Sequence, residues 1–150
     1  MATHRKPRIL VVDDERTIAD TLAVILRHAG YHATAAYSAK SALNCIRQWE
    51  PHLIISDVMM PGLNGVEMAI QVRESLPSCE VLLFSGQAAT ANLLKDAVTQ
   101  GYSFELLTKP VHPQDMIARV RSTLVDSAAS KKHETLWRGK SSQEQERPEQ

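Results

Sequence analysis

The sequence predicts an α/β fold, in which one five-stranded parallel sheet carries helices on both faces. Short apolar runs alternate five times along the chain with longer segments whose apolar residues have helical spacing. Strands that alternate with helices in this way form parallel sheets, because each helix carries the chain back across the sheet. A closed eight-stranded barrel needs about 250 residues, whereas this chain has 150. The sheet is therefore predicted to be open.

The first two strand–helix pairs follow from apolar spacing and stop signals. The run Ile9–Val12 is apolar throughout, as expected of a strand that is buried on both faces. Residues 15–29 repeat apolar side chains at helical intervals, and a glycine follows directly. The weaker strand His32–Tyr37 precedes Ser38, which can cap a second helix that Pro51 ends.

Three further pairs complete the sheet, separated by turn-forming proline and glycine residues. They are the strands Leu53–Ser56, Val81–Phe84 and Tyr102–Leu107, with helices at about residues 66–77, 88–100 and 113–125. A flavodoxin-like strand order, 2-1-3-4-5, places the first and third strands side by side and puts ligands at their carboxyl ends.

Composition excludes several classes of protein. Lys+Arg and Asp+Glu are each 17, so nothing indicates the basic face of a nucleic-acid binder or attraction to an anionic membrane. Two cysteines, Cys45 and Cys79, are too few for a disulfide framework or a zinc site. No apolar stretch approaches a membrane span, so we expect a cytoplasmic protein. Residues 1–126 are predicted to form the domain, and the polar segment 127–150 is expected to be a disordered tail.

Five polar residues fall at the ends of predicted strands. Asp13 and Asp14 follow the first strand, Asp57 the third, Ser85 the fourth and Lys109 the fifth. The carboxyl ends of parallel strands share one edge of the sheet, so we expect these side chains to converge.

Such a set indicates phosphoryl transfer. Crowded carboxylates repel one another, and a hard cation such as Mg²⁺ relieves that repulsion. A lysine can then offset charge on a transferred phosphoryl group, and a serine hydroxyl can donate to one of its oxygens. Asp57, alone at its strand end beside a Pro–Gly turn, is suited to act as the nucleophile.

The chain resembles response-regulator receiver domains over about residues 7–125. Four motifs carry the resemblance, namely ILVVDDE, IISDVMMPGLNG, the SG after the fourth strand and TKP near the fifth. The resemblance implies that Asp57 is the phosphoacceptor and that the Lys109–Pro110 peptide is cis. It also implies ligand roles for the other members of the set. Asp14, Asp57 and the Met59 carbonyl would bind Mg²⁺ directly, Asp13 would act through water, and Ser85 and Lys109 would hold phosphoryl oxygens.

The chain departs from the family pattern at several positions. Leu106 stands where the family usually carries an aromatic switch residue, although Phe104 is predicted to lie on the same face of the strand. Gly86 replaces a small alanine, which should leave access to the acceptor open. Met59 and Gln87 occupy the positions that tune loss of the phosphoryl group, and neither is a carboxylate.

The leading interpretation is a stand-alone, non-enzymatic receiver. It would be phosphorylated by a histidine kinase or a histidine phosphotransfer protein. It would signal through a downstream protein target or act as a phosphorelay intermediate, as a monomer or a phosphorylation-linked dimer. One alternative is an aspartyl-phosphate phosphatase or phosphotransferase, but Met59 stands where such enzymes need a second acid. A phosphorylation-independent pseudo-receiver is the other, and retention of the acids and Lys109 argues against it.

Overall fold

The computed structural model describes residues 5–86 and 90–127 and contains the predicted open parallel sheet, in the order β2-β1-β3-β4-β5. The strands are β1 (Arg8–Val12), β2 (His32–Ala36), β3 (Leu53–Asp57), β4 (Glu80–Ser85) and β5 (Glu105–Thr108). The helices are α1 (Arg16–His28), α2 (Ala39–Cys45), α3 (Gly65–Ser75), α4 (Thr90–Thr99) and α5 (113–127). The predicted fold class and strand order are confirmed.

Alternation along each central strand divides the core into two layers. In β1, Leu10 and Val12 pack on the side of α2, α3 and α4, whereas Ile9 and Val11 pack on the side of α1 and α5. All four are fully buried, which explains why this strand is apolar without interruption. Of the helices in the described ranges, none is both long and apolar enough to cross a bilayer.

The fifth strand begins later than the sequence predicted. Its pairing with β4 starts at Glu105, opposite Leu82, rather than at Tyr102. The backbone N–H of Tyr102 instead donates to the carbonyl of Ala97 and closes the end of α4. Gly101, at φ 94°, makes the left-handed turn that ends the helix. Residues 102–104 therefore connect α4 to the strand.

Helix α2 ends before the proline predicted to break it. Its last residue is Cys45, and the backbone N–H groups of Gln48 and Trp49 both donate to the Cys45 carbonyl. These turns satisfy the helix end with local bonds, so Pro51 lies in the connection to β3 and does not set the helix boundary.

Candidate functional site

Three carboxylates meet at the carboxyl edge of the sheet. Oxygen atoms of Asp13, Asp14 and Asp57 all lie within 4.8 Å of one another. Asp13 is fully buried and Asp57 is 6% exposed, while Asp14 faces solvent. The predicted convergence from β1 and β3 is therefore present in the structure.

The two carboxylate oxygens of Asp13 differ in their contacts. Its Oδ1 accepts a hydrogen bond from the backbone N–H of Glu15 at 2.9 Å. Within the described parts of the chain, Oδ2 is buried and accepts no hydrogen bond. Buried carboxylate oxygens normally have partners, so this geometry fits a site that a hydrated cation completes.

Burial raises the pKa of both Asp13 and Asp57, since a charged carboxylate loses solvation there. The Lys109 ammonium acts in the opposite direction on Asp57, with Nζ 3.5 Å from Oδ1. Three ionised carboxylates and one ammonium leave two negative charges, which a divalent cation would neutralise. Oxygen donors of this kind suit Mg²⁺.

Lys109 reaches the carboxylates from the end of β5. Its backbone N–H donates to the carbonyl of Ser85 at 3.1 Å, which holds the two strand ends together. Its ammonium lies 4.9 Å from the centre of the Phe84 ring, a cation–π distance. The Lys109–Pro110 peptide is cis, as the resemblance implied.

Ser85 lies at the end of β4 and is 4% exposed. Its hydroxyl is hydrogen-bonded to the hydroxyl of Thr90, the first residue of α4, at 2.7 Å. Sequence analysis did not identify Thr90. The only signal in the sequence is a hydroxyl five residues after Ser85, and that spacing alone does not show that the two side chains meet.

The backbone at Gly65, where α3 begins, lies very close to the backbone of Asp57. A Cβ atom on Gly65 would lie 2.3 Å from the carbonyl oxygen of Asp57, so only glycine lets α3 begin there. Asn64 and Glu67 form a reciprocal capping box at the same helix start. The Met59 backbone acts against the larger effect of burial and lowers the pKa of the Asp57 carboxyl, and Met59 itself is 43% exposed.

Leu106 departs from the family pattern, and the structure describes both this residue and Phe104 on the same face of the sheet. Leu106 and Phe104 are half-buried against the same core layer, on the side of α2, α3 and α4. Phe104 also stacks on Tyr102, with ring centres 6.3 Å apart, and lies under the Arg73 guanidinium. Gln87 and the tail from residue 128 lie outside the described residues.

Comparison with curated proteins finds relatives that are longer than the matched region. The DNA-binding response regulator MtrA of Mycobacterium tuberculosis is 29% identical over 124 residues, which cover 83% of this chain and 53% of MtrA. The regulatory protein VanR of Enterococcus faecium is 33% identical over 117 residues, covering 78% of this chain and 49% of VanR. The chain thus spans about half the length of these relatives. Since MtrA is named as DNA-binding, the comparisons give no support to excluding nucleic acid as a partner.

A solved structure agrees with the fold. The CheY-like response regulator receiver domain protein of Methanospirillum hungatei matches with a TM-score of 0.77 and 25% identity, over 83% of this chain and 98% of that chain. The family model described as the response regulator receiver domain matches residues 9–121, about three quarters of the chain. With this match and the acidic edge of the sheet, the chain belongs to the response-regulator receiver domains of two-component signalling systems.

Proposed function

We propose that Asp57 accepts a phosphoryl group from a histidine kinase or a histidine phosphotransfer protein. The observation that carries the proposal is the position of Asp57. It is a nearly buried carboxylate at a strand end, clustered with two other acids and 3.5 Å from the ammonium of Lys109. That combination supplies a nucleophile and a cation beside the site of transfer.

The transfer balances as a substitution at phosphorus. A carboxylate oxygen of Asp57 attacks the phosphorus of the donor phosphohistidine. The new O–P bond forms as the P–N bond breaks, and the electron pair of that bond stays on the imidazole nitrogen. Lys109 would exchange its contact with Asp57 for one with a phosphoryl oxygen, and the Ser85 hydroxyl would donate to another. Both contacts stabilise negative charge on the transferred group.

The same residues fit a magnesium site. Asp14, Asp57 and the Met59 carbonyl would hold the ion directly, and Asp13 would hold it through water, with its Oδ2 as the acceptor. When bound, Mg²⁺ offsets the charge of the phosphoryl oxygens. Asp13 and Asp14 then keep the ion beside the nucleophile, and the burial of Asp13 limits competition from bulk water.

Labelling with a small phosphodonor tests the assignment. The protein is incubated with acetyl phosphate and Mg²⁺, and its intact mass is measured. We expect one added phosphoryl group on the wild type, none on Asp57→Asn, and none when EDTA replaces Mg²⁺. Asp96→Asn, at an exposed position of α4, is the matched control and should label like the wild type. Equal labelling of Asp57→Asn would contradict the assignment, and metal-independent labelling would contradict the role of Asp14.

We further propose that the receiver works as a separate cytoplasmic chain and signals through protein contacts or passes the phosphoryl group on. Support for output through protein contacts comes from the balanced charge of the sequence, 17 basic and 17 acidic residues, which gives no net positive charge to attract DNA. Immunoblotting should detect a cytoplasmic product of 16.7 kDa, and a larger product would show a fused output domain. Retardation of duplex DNA by the phosphorylated chain at physiological salt would contradict output through protein contacts alone.

A further inference from the structure

One buried hydroxyl near the candidate site has no part in the function proposed so far. In the described ranges, the buried polar or charged residues are Asp13, Ser56, Asp57, Ser85 and Thr90. The two aspartates and Ser85 belong to the candidate site, and the Ser56 hydroxyl donates to the adjacent carbonyl of Asp57. Thr90 remains, and its hydroxyl lies 2.7 Å from that of Ser85.

The number of protons in this pair limits what Ser85 can do. Each hydroxyl has one proton to donate, and the geometry allows either residue to be the donor. If Ser85 donates to Thr90, it turns only lone pairs toward an anionic phosphoryl group. If Thr90 donates to Ser85, the bond between the two hydroxyls does not use the Ser85 proton, which Ser85 can then donate to a phosphoryl oxygen. Of the two directions of this bond, only donation by Thr90 leaves the Ser85 proton for a phosphoryl oxygen.

We propose that Thr90 is a positioning residue, whose hydroxyl donates to Ser85 Oγ so that the Ser85 proton points to a phosphoryl oxygen on Asp57. The inference rests on the phosphoacceptor role proposed for Asp57. Burial supports it, because Thr90 is 2% and Ser85 is 4% exposed, which leaves little room for water to replace Thr90 as the donor. A chain of two hydrogen bonds that ends on an anion also polarises and strengthens each bond.

The same bond connects the site to α4. Thr90 is the first residue of that helix, and Ser85 is the last residue of β4. A phosphoryl oxygen that draws on the Ser85 proton therefore orients a hydroxyl that belongs to α4. Hydrogen bonds through Ser85 and Thr90 would thus connect the phosphoryl oxygen to the start of α4.

The test uses beryllofluoride, which stands in for the bound phosphoryl group, titrated into the full-length protein with Mg²⁺ and followed by NMR. Thr90→Val keeps the shape of the side chain without the hydroxyl, and Thr90→Ser keeps the hydroxyl. We expect Thr90→Val to weaken beryllofluoride binding about three- to tenfold, the effect of one net hydrogen bond, and Thr90→Ser to bind like the wild type. In a Ser85→Ala background, Thr90→Val should cause no further weakening, because its acceptor is gone.

Several outcomes would overturn the proposal. These are unchanged or tighter binding by Thr90→Val, and an equal weakening in the Ser85→Ala background. If the valine variant does not fold, Thr90→Ala against Thr90→Ser repeats the comparison, and wild-type binding by Thr90→Ala would count against Thr90. Mg²⁺ affinity without beryllofluoride should stay unchanged in every Thr90 variant. A wild type that neither binds beryllofluoride nor labels on Asp57 would instead refute the proposed function on which this inference rests.

Discussion

At the residue scale, the buried carboxylate of Asp13 is expected to lower the unfolding free energy of the metal-free protein. Asp13 is fully buried, its Oδ2 accepts no hydrogen bond from residues 5–86 or 90–127, and burial raises its pKa. We therefore predict that Asp13→Asn raises the unfolding free energy of the metal-free protein by about 1 kcal/mol, because a neutral amide removes a desolvated charge beside Asp57. Urea unfolding in EDTA measures this change. With Mg²⁺ the order should reverse, since the wild type gains stability from the ion and the variant gains less. A variant less stable than the wild type in EDTA would contradict the prediction.

Gly65 gives a second prediction at this scale. Its added Cβ would lie 2.3 Å from the Asp57 carbonyl oxygen, so Gly65→Ala must push β3 and α3 apart beside the acceptor. We expect a loss of about 2 kcal/mol or more in unfolding free energy, the effect of overpacking against backbone, and slower labelling by acetyl phosphate. Gly86→Ala is the matched control, because its Cβ would meet the Lys109 side chain at an ordinary 3.5 Å. Equal unfolding free energies of the two variants would contradict the prediction, because they would show that the backbone around Asp57 and residue 65 accommodates the added Cβ without cost.

Residue types at strand ends allowed prediction of the acidic set, but not of the contacts that position it. The convergence of Asp13, Asp57 and Lys109 follows from strand order alone, because parallel strands end at one edge. The roles of Gly65 and Thr90 depend on distances between backbone and side chains from separate elements. Spacing along a chain does not encode such distances.

At the scale of the elements, the predicted strands and helices are present, and the errors fall at their ends. The start of β5 was placed three residues early because residues 102–104 include two aromatic side chains, which favour strands in general. Their aromatic faces instead pack beside α3. Tyr102 donates a hydrogen bond to Glu74, and Phe104 lies under Arg73. Local propensity was thus overridden by tertiary packing.

The same arrangement gives a prediction about the switch. Leu106 has no ring to turn inward, and Phe104 is already engaged by Tyr102 and Arg73. We expect beryllofluoride to shift the NMR signals of Ser85 and Gly86 strongly and those of Phe104 and Leu106 weakly, because a ligand shifts populations only by its differential contacts. Leu106→Tyr should enlarge the response along β5.

The control for this variant lies on the same strand. Leu107→Tyr adds a ring to the opposite face of the sheet, on the side of α1 and α5, and should leave the response of β5 to beryllofluoride small. If Leu106→Tyr also leaves the response unchanged, position 106 does not limit the switch.

At the scale of the whole molecule, the alternation of elements predicts a parallel sheet but not the order of its strands. Each of β1, β3 and β4 has a short apolar run, and any of them would suit a central position. The flavodoxin-like order predicted for such a sheet makes β1 and β3 neighbours, as their observed pairing has them, and the acids that follow these two strands lie together. Chemistry and topology thus support each other in this fold.

The last prediction concerns the segment from residue 127 onward, of which all but the first residue lies outside the described residues. Leu136 and Trp137 are its only large apolar side chains, too few to bury a compensating surface. A chain ending at residue 126 should therefore keep its unfolding free energy within about 0.5 kcal/mol of the full length, with an unchanged dependence on urea. A chain ending at residue 119 is the control. It lacks Val120 of α5, which is fully buried in the core layer between the sheet and helices α1 and α5. Its unfolding free energy should fall by about 2 kcal/mol or more. A comparable loss in the longer chain, or a lower urea dependence, would show that residues 127–150 pack on the domain.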